Sequence, residues 1–137
     1  MNIITQDYLD KLTYRIIGAA ITVHKELGPG LYEKVYEKCL EKELKDQGMK
    51  VECQQSVPVI YKGISLDCEI RYDLLVANCI VVELKAVESL LPLFESQLMT
   101  YMRLLKKPKG ILLNFNVRNI FKEGQKTFVN EYFKQLD

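Results

Sequence analysis

Cys79-Ile80-Val81-Val82-Glu83-Leu84-Lys85-Ala86 is the stretch that decides the fold. Its first half is apolar on both faces, as expected of a strand whose sheet is covered by helices on both sides. Side chains alternate along a strand, so Glu83 and Lys85 share the face of Cys79 and Val81, at the end of a segment otherwise buried. A salt-bridged pair emerging into solvent at a strand end is the ordinary reading of such charges.

Immediately upstream, Leu66, Cys68, Ile70, Tyr72, Leu74 and Val76 alternate with Asp67, Glu69, Arg71 and Asp73. That period of two predicts a strand with one polar face, turning through Ala77-Asn78 into the strand from Cys79 to Ala86. The register of the hairpin decides whether Asp73 and Glu83 can meet. A two-residue turn at Ala77-Asn78 pairs Val76 with Cys79 and Tyr72 with Glu83, which sends Asp73 to the opposite face. A three-residue loop, Val76-Ala77-Asn78, pairs Leu75 with Cys79 and Asp73 with Val81, restoring a shared face. Such loops end in a left-handed residue, which asparagine tolerates. A cation bridging Asp73 and Glu83 therefore demands an odd-length loop or a bulge.

Outward from this hairpin, Val51 to Tyr61 predicts a strand broken or bent near Pro58, followed by a turn at Lys62-Gly63. Apolar residues at helical spacing predict a helix from Asp7 to Leu27, stopped by Gly28-Pro29-Gly30, and a second from about Leu31 to Gln47. Pro92 opens a third helix lasting to about Lys106, and Ile111 to Phe115 reads as a short buried strand. Asn116 to Asp137 fits either a hairpin around Glu123-Gly124 or a final helix. The order ααβββαβ predicts an α/β (α+β) fold, a mixed central sheet flanked by helices. No repeat or linker divides residues 1–137, so one domain is expected.

Composition narrows the chemistry. The 137 residues hold 19 Lys+Arg against 18 Asp+Glu, four cysteines, one histidine and no tryptophan. A formal charge of +1 lacks the strongly basic signature of a non-specific DNA binder. His24 alone cannot supply a histidine-rich metal site. Cys39, Cys53, Cys68 and Cys79 contain no C-x-x-C pair, and buried free thiols in a reducing compartment are expected. No apolar run approaches the ~20 residues of a membrane span, and the N-terminus lacks a signal-peptide layout, so a cytoplasmic protein is expected. Any enzymatic chemistry is expected to come mostly from carboxylates and lysines, with or without a hard metal ion.

Several polar residues interrupt the helical patterns. Leu40 and Leu44 lie roughly 20° either side of Glu33 at about 100° per residue, which puts Glu33 beside the apolar stripe of the second helix. Its place near a helix N-terminus also suits a carboxylate without any further role. Gln97 falls among Leu93, Phe94, Tyr101, Leu104 and Leu105, and projects with Tyr101 four residues on, so it needs a hydrogen-bond partner. His24, near the end of the first helix, reads as a residue that packs or caps carbonyls. Lys106, Lys107 and Lys109 read as a solvated helix end, with a local nucleic-acid contact as the alternative.

Taken together, Gly30-x-x-Glu33-x-x-Tyr36, Asp73, Glu83-x-Lys85 and Gln97-x-x-x-Tyr101 resemble the GxxExxY family, within the PD-(D/E)XK nuclease superfamily of restriction-endonuclease-like folds. The resemblance runs from about Tyr14 to Phe115 and includes Arg71-Tyr72-Asp73-Leu74-Leu75-Val76 and Leu113-Asn114-Phe115. Tyr72 stands where the superfamily's nominal motif has proline. The resemblance implies that Asp73, Glu83 and the Leu84 carbonyl bind Mg²⁺ (or Mn²⁺), with Glu33 completing the acidic cluster. It further implies that Lys85 lies beside the attacking water and that Gln97 and Tyr101 close the site. Hard oxygens suit Mg²⁺, which polarises a phosphodiester and acidifies bound water.

The expected function is Mg²⁺-dependent hydrolysis of nucleic acid, DNA ahead of RNA. A non-catalytic nucleic-acid-binding or accessory module that keeps the fold is the alternative, and a metal-independent assembly protein a third. A domain this small leaves no room for a DNA-reading module, so a homodimer or a recognition partner is expected.

Overall fold

The structure, a computed structural model, describes residues 3–137. Thr5 caps the first helix by accepting from the Tyr8 N–H, and α1 (Gln6–Leu27) buries Leu9, Leu12, Ile16, Ala20 and Val23 along one stripe. The chain turns through Gly28 and Gly30, both at positive φ, into α2 (Glu33–Asp46). Three short strands follow: β1 (Val51–Cys53), β2 (Val59–Tyr61) and β3 (Ile64–Leu66). The functional hairpin is β4 (Leu74–Val76) and β5 (Ile80–Lys85). Then come α3 (Pro92–Leu105), β6 (Lys109–Asn114), α4 (Ile120–Glu123), β7 (Gln125–Val129) and α5 (Glu131–Lys134).

Five strands form one mixed sheet in the order β1-β4-β5-β6-β7, with β5 and β6 parallel and the other neighbours antiparallel. The crossover from β5 to β6 is α3. Parity along β5 divides the core. Ile80, Val82 and Leu84 join α1 and α2 in one cluster, and Val81 joins Leu75 and the α3 residues Leu98, Tyr101 and Met102 in the other. The expected mixed sheet flanked by helices is therefore the fold observed.

Two details differ from expectation. The alternating stretch from Leu66 to Val76 is not one strand: β3 ends at Leu66, and residues 67–73 carry only the isolated bridge of Arg71 to Ser56. Residues 67–69 are exposed and have no neighbouring strand to pair with, so alternation alone does not carry one strand from Leu66 through to Val76. β2 and β3 instead form a separate hairpin over the expected Lys62-Gly63 turn. No hairpin turns at Glu123-Gly124, where α4 ends; β7 pairs instead with β6, and a short helix closes the tail. All four cysteines are free, but only Cys79 is buried.

α3 seats closely on β6 because Gly110 has no side chain. A Cβ there would lie 2.5 Å from Met102 Sδ and 2.9 Å from Leu98 Cδ1. Gly110→Ala is expected to cost about 1–3 kcal/mol by overpacking. Denaturant titration checks it, and an unchanged midpoint would mean that α3 shifts freely on the sheet.

Candidate metal-binding active site

The β4–β5 hairpin sets the geometry. Leu74 pairs with Val82, Leu75 with Val81 and Val76 with Ile80, leaving Ala77, Asn78 and Cys79 between the strands. The intervening segment is thus odd in length, as a shared face for Asp73 and Glu83 requires. Ala77 and Asn78 both adopt left-handed backbone, and Cys79 N–H closes the turn on the Val76 carbonyl at 3.1 Å. The expected pairing of Asp73 with Val81 is corrected by two residues: Cys79, not Val76, belongs to the loop. Continuing the observed register puts Asp73 opposite Glu83.

The two carboxylates interlock with each other's backbone. Asp73 N–H donates to Glu83 Oε2 at 2.6 Å, and Leu84 N–H donates to Asp73 Oδ2 at 2.8 Å. These bonds form where β5 runs on past the start of β4. Lys85 carbonyl accepts from Phe115 N–H on the β6 side, so the backbone groups of Leu84 face the opposite edge, towards Asp73. Glu83 is only 5% exposed. Burial, and then the charge of Asp73, push its carboxyl up to about 8. Burial also raises Asp73, against the opposing pull of the Leu84 N–H, the Gln54 amide and Lys85.

Beside Asp73 opens a cleft of about 510 Å³, lined also by Tyr32, Glu33, Glu37, Gln54 and Leu84, with Glu83 buried behind this lining. Glu33 is the first residue of α2 and is exposed at the cleft rather than set in the apolar stripe, because its helix turn extends past the end of the core. Its charge still reaches Asp73 and raises it. Lys85 stays on the α3 side, with Nζ 4.6 Å from the centre of the Phe94 ring. Its charge lowers both carboxyls, and it forms no ion pair among the described residues.

A family model describing the PD-(D/E)XK nuclease superfamily matches residues 10–128. The chain belongs to that superfamily. No curated protein and no solved structure matches it significantly. The PD-(D/E)XK assignment agrees with the mixed sheet and its helices, a restriction-endonuclease-like arrangement.

The remaining sequence candidates of this PD-(D/E)XK chain divide cleanly. Gln97 Nε2 donates to Tyr101 Oη at 3.1 Å, so the two do project together. Gln97 is exposed rather than embedded in an apolar stripe, because α3 turns Leu98, Tyr101 and Met102 inward and leaves Leu93 in solvent. Burial, then the charges of Glu83 and Asp73, raise the Tyr101 phenol, which ties it to the carboxylates. His24 packs away from the cleft, with Nε2 2.8 Å from the Val117 carbonyl. The lysine cluster lies at the wrong end: Lys109 pairs with Ile80, whereas Lys85 pairs with Asn114. Five residues of strand, about 17 Å, separate the two ends. Lys109 is moreover buried and paired with Asp10 at 2.7 Å, and so is unavailable to a nucleic acid.

Two residues of this site escaped the sequence reading. Glu37, 6% exposed, and Gln54, at the end of β1, meet at 2.6 Å in the cleft wall. A signal for Glu37 exists, since it lies one turn beyond Glu33 and within about 20° of Leu44 on the helical wheel. Gln54 follows a three-residue strand and carries no periodic signal at all.

Proposed function

We propose that this PD-(D/E)XK protein is a metal-dependent nuclease that hydrolyses phosphodiesters of nucleic acid, DNA ahead of RNA, at the site formed by Asp73 and Glu83. The observation that carries the reading is the interlocked pair of carboxylates, Glu83 buried and Asp73 half-buried, both raised in pKa and neither in an ion pair with a cationic side chain among the described residues. Such a pair gains from a divalent cation what it lacks from the protein. Hard oxygens from Asp73, Glu83, the Leu84 carbonyl edge and, across the cleft, Glu33 are the donor types that Mg²⁺ or Mn²⁺ takes. The ion's contribution when bound is to polarise the phosphodiester and acidify a water.

The chain's own residues supply the rest. Lys85, steadied over the Phe94 ring, offers a point charge that orients the nucleophile or balances the developing negative charge on the phosphate. Tyr101 Oη accepts from Gln97, which leaves its own proton free to donate, and its raised pKa keeps that proton in place. Within this reading the chain is one nuclease-like domain of the GxxExxY family, on the strength of Gly30-x-x-Glu33-x-x-Tyr36. It works in the cytoplasm, as a homodimer or with a partner that supplies recognition. No helix among the described residues is long and apolar enough to cross a membrane.

Labelled single- and double-stranded DNA and RNA, incubated with Mg²⁺ or Mn²⁺, test the proposal. The Glu83→Ala, Lys85→Ala double variant is expected to lose about a thousand-fold or more in rate, given what a single electrostatic group can contribute. Equal turnover by parent and double variant sinks the site assignment. A non-catalytic nucleic-acid-binding module is the second reading. No three acidic, histidine or cysteine side chains form a ready ligand set among the described residues. Salt-dependent binding without metal-dependent turnover would identify that case.

A further inference from the structure

The inner wall of the cleft holds one uncharged side chain between two charged ones. Gln54 has left-handed backbone, φ 52°, just past β1. Two bonds fix that backbone: its N–H donates to the Asp73 carbonyl at 3.0 Å, and its carbonyl accepts from Arg71 Nη1 at 2.8 Å. Its side-chain nitrogen then lies 2.6 Å from Glu37 Oε1 and 3.1 Å from Asp73 Oδ1. An amide nitrogen has two hydrogens, and both are committed here. Because both partners are carboxylates, the nitrogen and not the oxygen must face them, so chemistry fixes the orientation of the amide.

The other contact to Glu37 is weak, Lys34 Nζ at 3.4 Å from Oε2. Without the amide, a buried carboxylate on α2 and the aspartate before β4 would face each other as like charges in a partly desolvated wall. Residues from three separate parts of the chain, the α2 helix, the end of β1 and the approach to β4, are thereby joined through one nitrogen.

We propose that Gln54 is a positioning residue of the metal site: by bridging Glu37 and Asp73, its amide nitrogen holds the aspartate in its ligand-ready orientation and separates two carboxylates that would otherwise repel. The inference rests on the metal-dependent reading above. It makes Glu37 a partner of Gln54 and leaves Glu33 as the acid that reaches the open side of the cleft.

Calorimetric titration of the full chain with Mn²⁺ alone tests it, with thermal unfolding in a chelator as the second readout. Gln54→Met keeps the length of the side chain and removes the donor, and is expected to weaken Mn²⁺ binding at least tenfold. Glu37→Gln in the otherwise native protein keeps an amide oxygen that accepts from Gln54 and is the reference against which the double variant is read. Added to Gln54→Met, Glu37→Gln removes the repulsion and is expected to recover at least threefold in affinity. A merely structural role would lower the melting temperature without that recovery. Gln54→Asn suits left-handed backbone, is too short to reach both carboxylates, and serves if Gln54→Met does not fold. Binding of Mn²⁺ by the Gln54 variant within twofold of the parent, or no recovery on adding Glu37→Gln, overturns the inference alone. A parent chain that binds no Mn²⁺ overturns the metal reading and this inference with it.

Discussion

Replacing Glu83 by glutamine is expected to cut the proposed metal-dependent cleavage steeply and, in the absence of metal, to stabilise the fold at alkaline pH. The two effects have one origin. Glu83 is buried beside a second carboxylate, and its carboxyl is pushed up to about 8 from an ordinary 4.5. Between those values the folded chain holds a proton that the unfolded chain has released. The stability linked to Glu83 is therefore complete below about 4.5 and is lost as pH rises through about 8, a contribution of the order of a few kcal/mol. Glutamine can keep the bond from the Asp73 N–H, because its amide oxygen accepts as Glu83 Oε2 does. It removes the charge and leaves the shape.

Thermal unfolding in a chelator from pH 5 to pH 9 should show a falling melting temperature for the parent and a flatter profile for Glu83→Gln. A divalent ion, by taking the place of the proton, should flatten the parent's profile too. Cleavage by the variant should fall about a thousand-fold, on the scale of other electrostatic groups at reaction centres. Parallel profiles for parent and variant would mean that another group sets the alkaline limit.

The second large effect concerns stability. Tyr36 is fully buried, its ring stacked on Phe115 at 4.5 Å between centroids. Its hydroxyl donates to the Gly28 carbonyl at 2.6 Å and accepts from the Leu31 N–H at 3.1 Å. One side chain thus spans the core and closes the turn that starts α2. Tyr36→Ala is expected to cost about 3–5 kcal/mol, the range for emptying a large aromatic site. Tyr36→Phe keeps the stack and strands two backbone groups, and should cost about 1–2 kcal/mol. Denaturant titration separates the two. A phenylalanine variant as stable as the parent would mean that the positive-φ glycines hold the turn unaided. The tyrosine of Gly30-x-x-Glu33-x-x-Tyr36 is then a structural staple, and its glutamate the member that faces the cleft.

What the sequence made legible followed from periodicity and residue chemistry. The β5 segment was readable because a doubly apolar strand with charges at its end has few other interpretations. The need for an odd loop between Asp73 and Glu83 followed from the alternation of strands, although which three residues form it did not. Nothing in composition says that Ala77 will accept positive φ so that Cys79 can close the turn. The long strand expected through Asp67 and Glu69 was misread for a related reason, since alternation records a preference and pairing requires a neighbour. Glu33 and Glu37 share a helical face, and only the point at which the core ends decides which is buried. Gln54 is illegible in sequence because its role comes from two contacts, 17 and 19 residues away along the chain.

The segment Ala77-Asn78-Cys79 has a consequence for inheritance. Its three residues keep Asp73 and Glu83 in phase across the hairpin. Loss of a single codon there, in frame, would leave every charged residue of the site encoded and yet turn Asp73 away from Glu83. If the proposed site is the working one, the genetic target that can disarm it is wider than the codons for its acids and lysine, and includes a small turn that bears no charge.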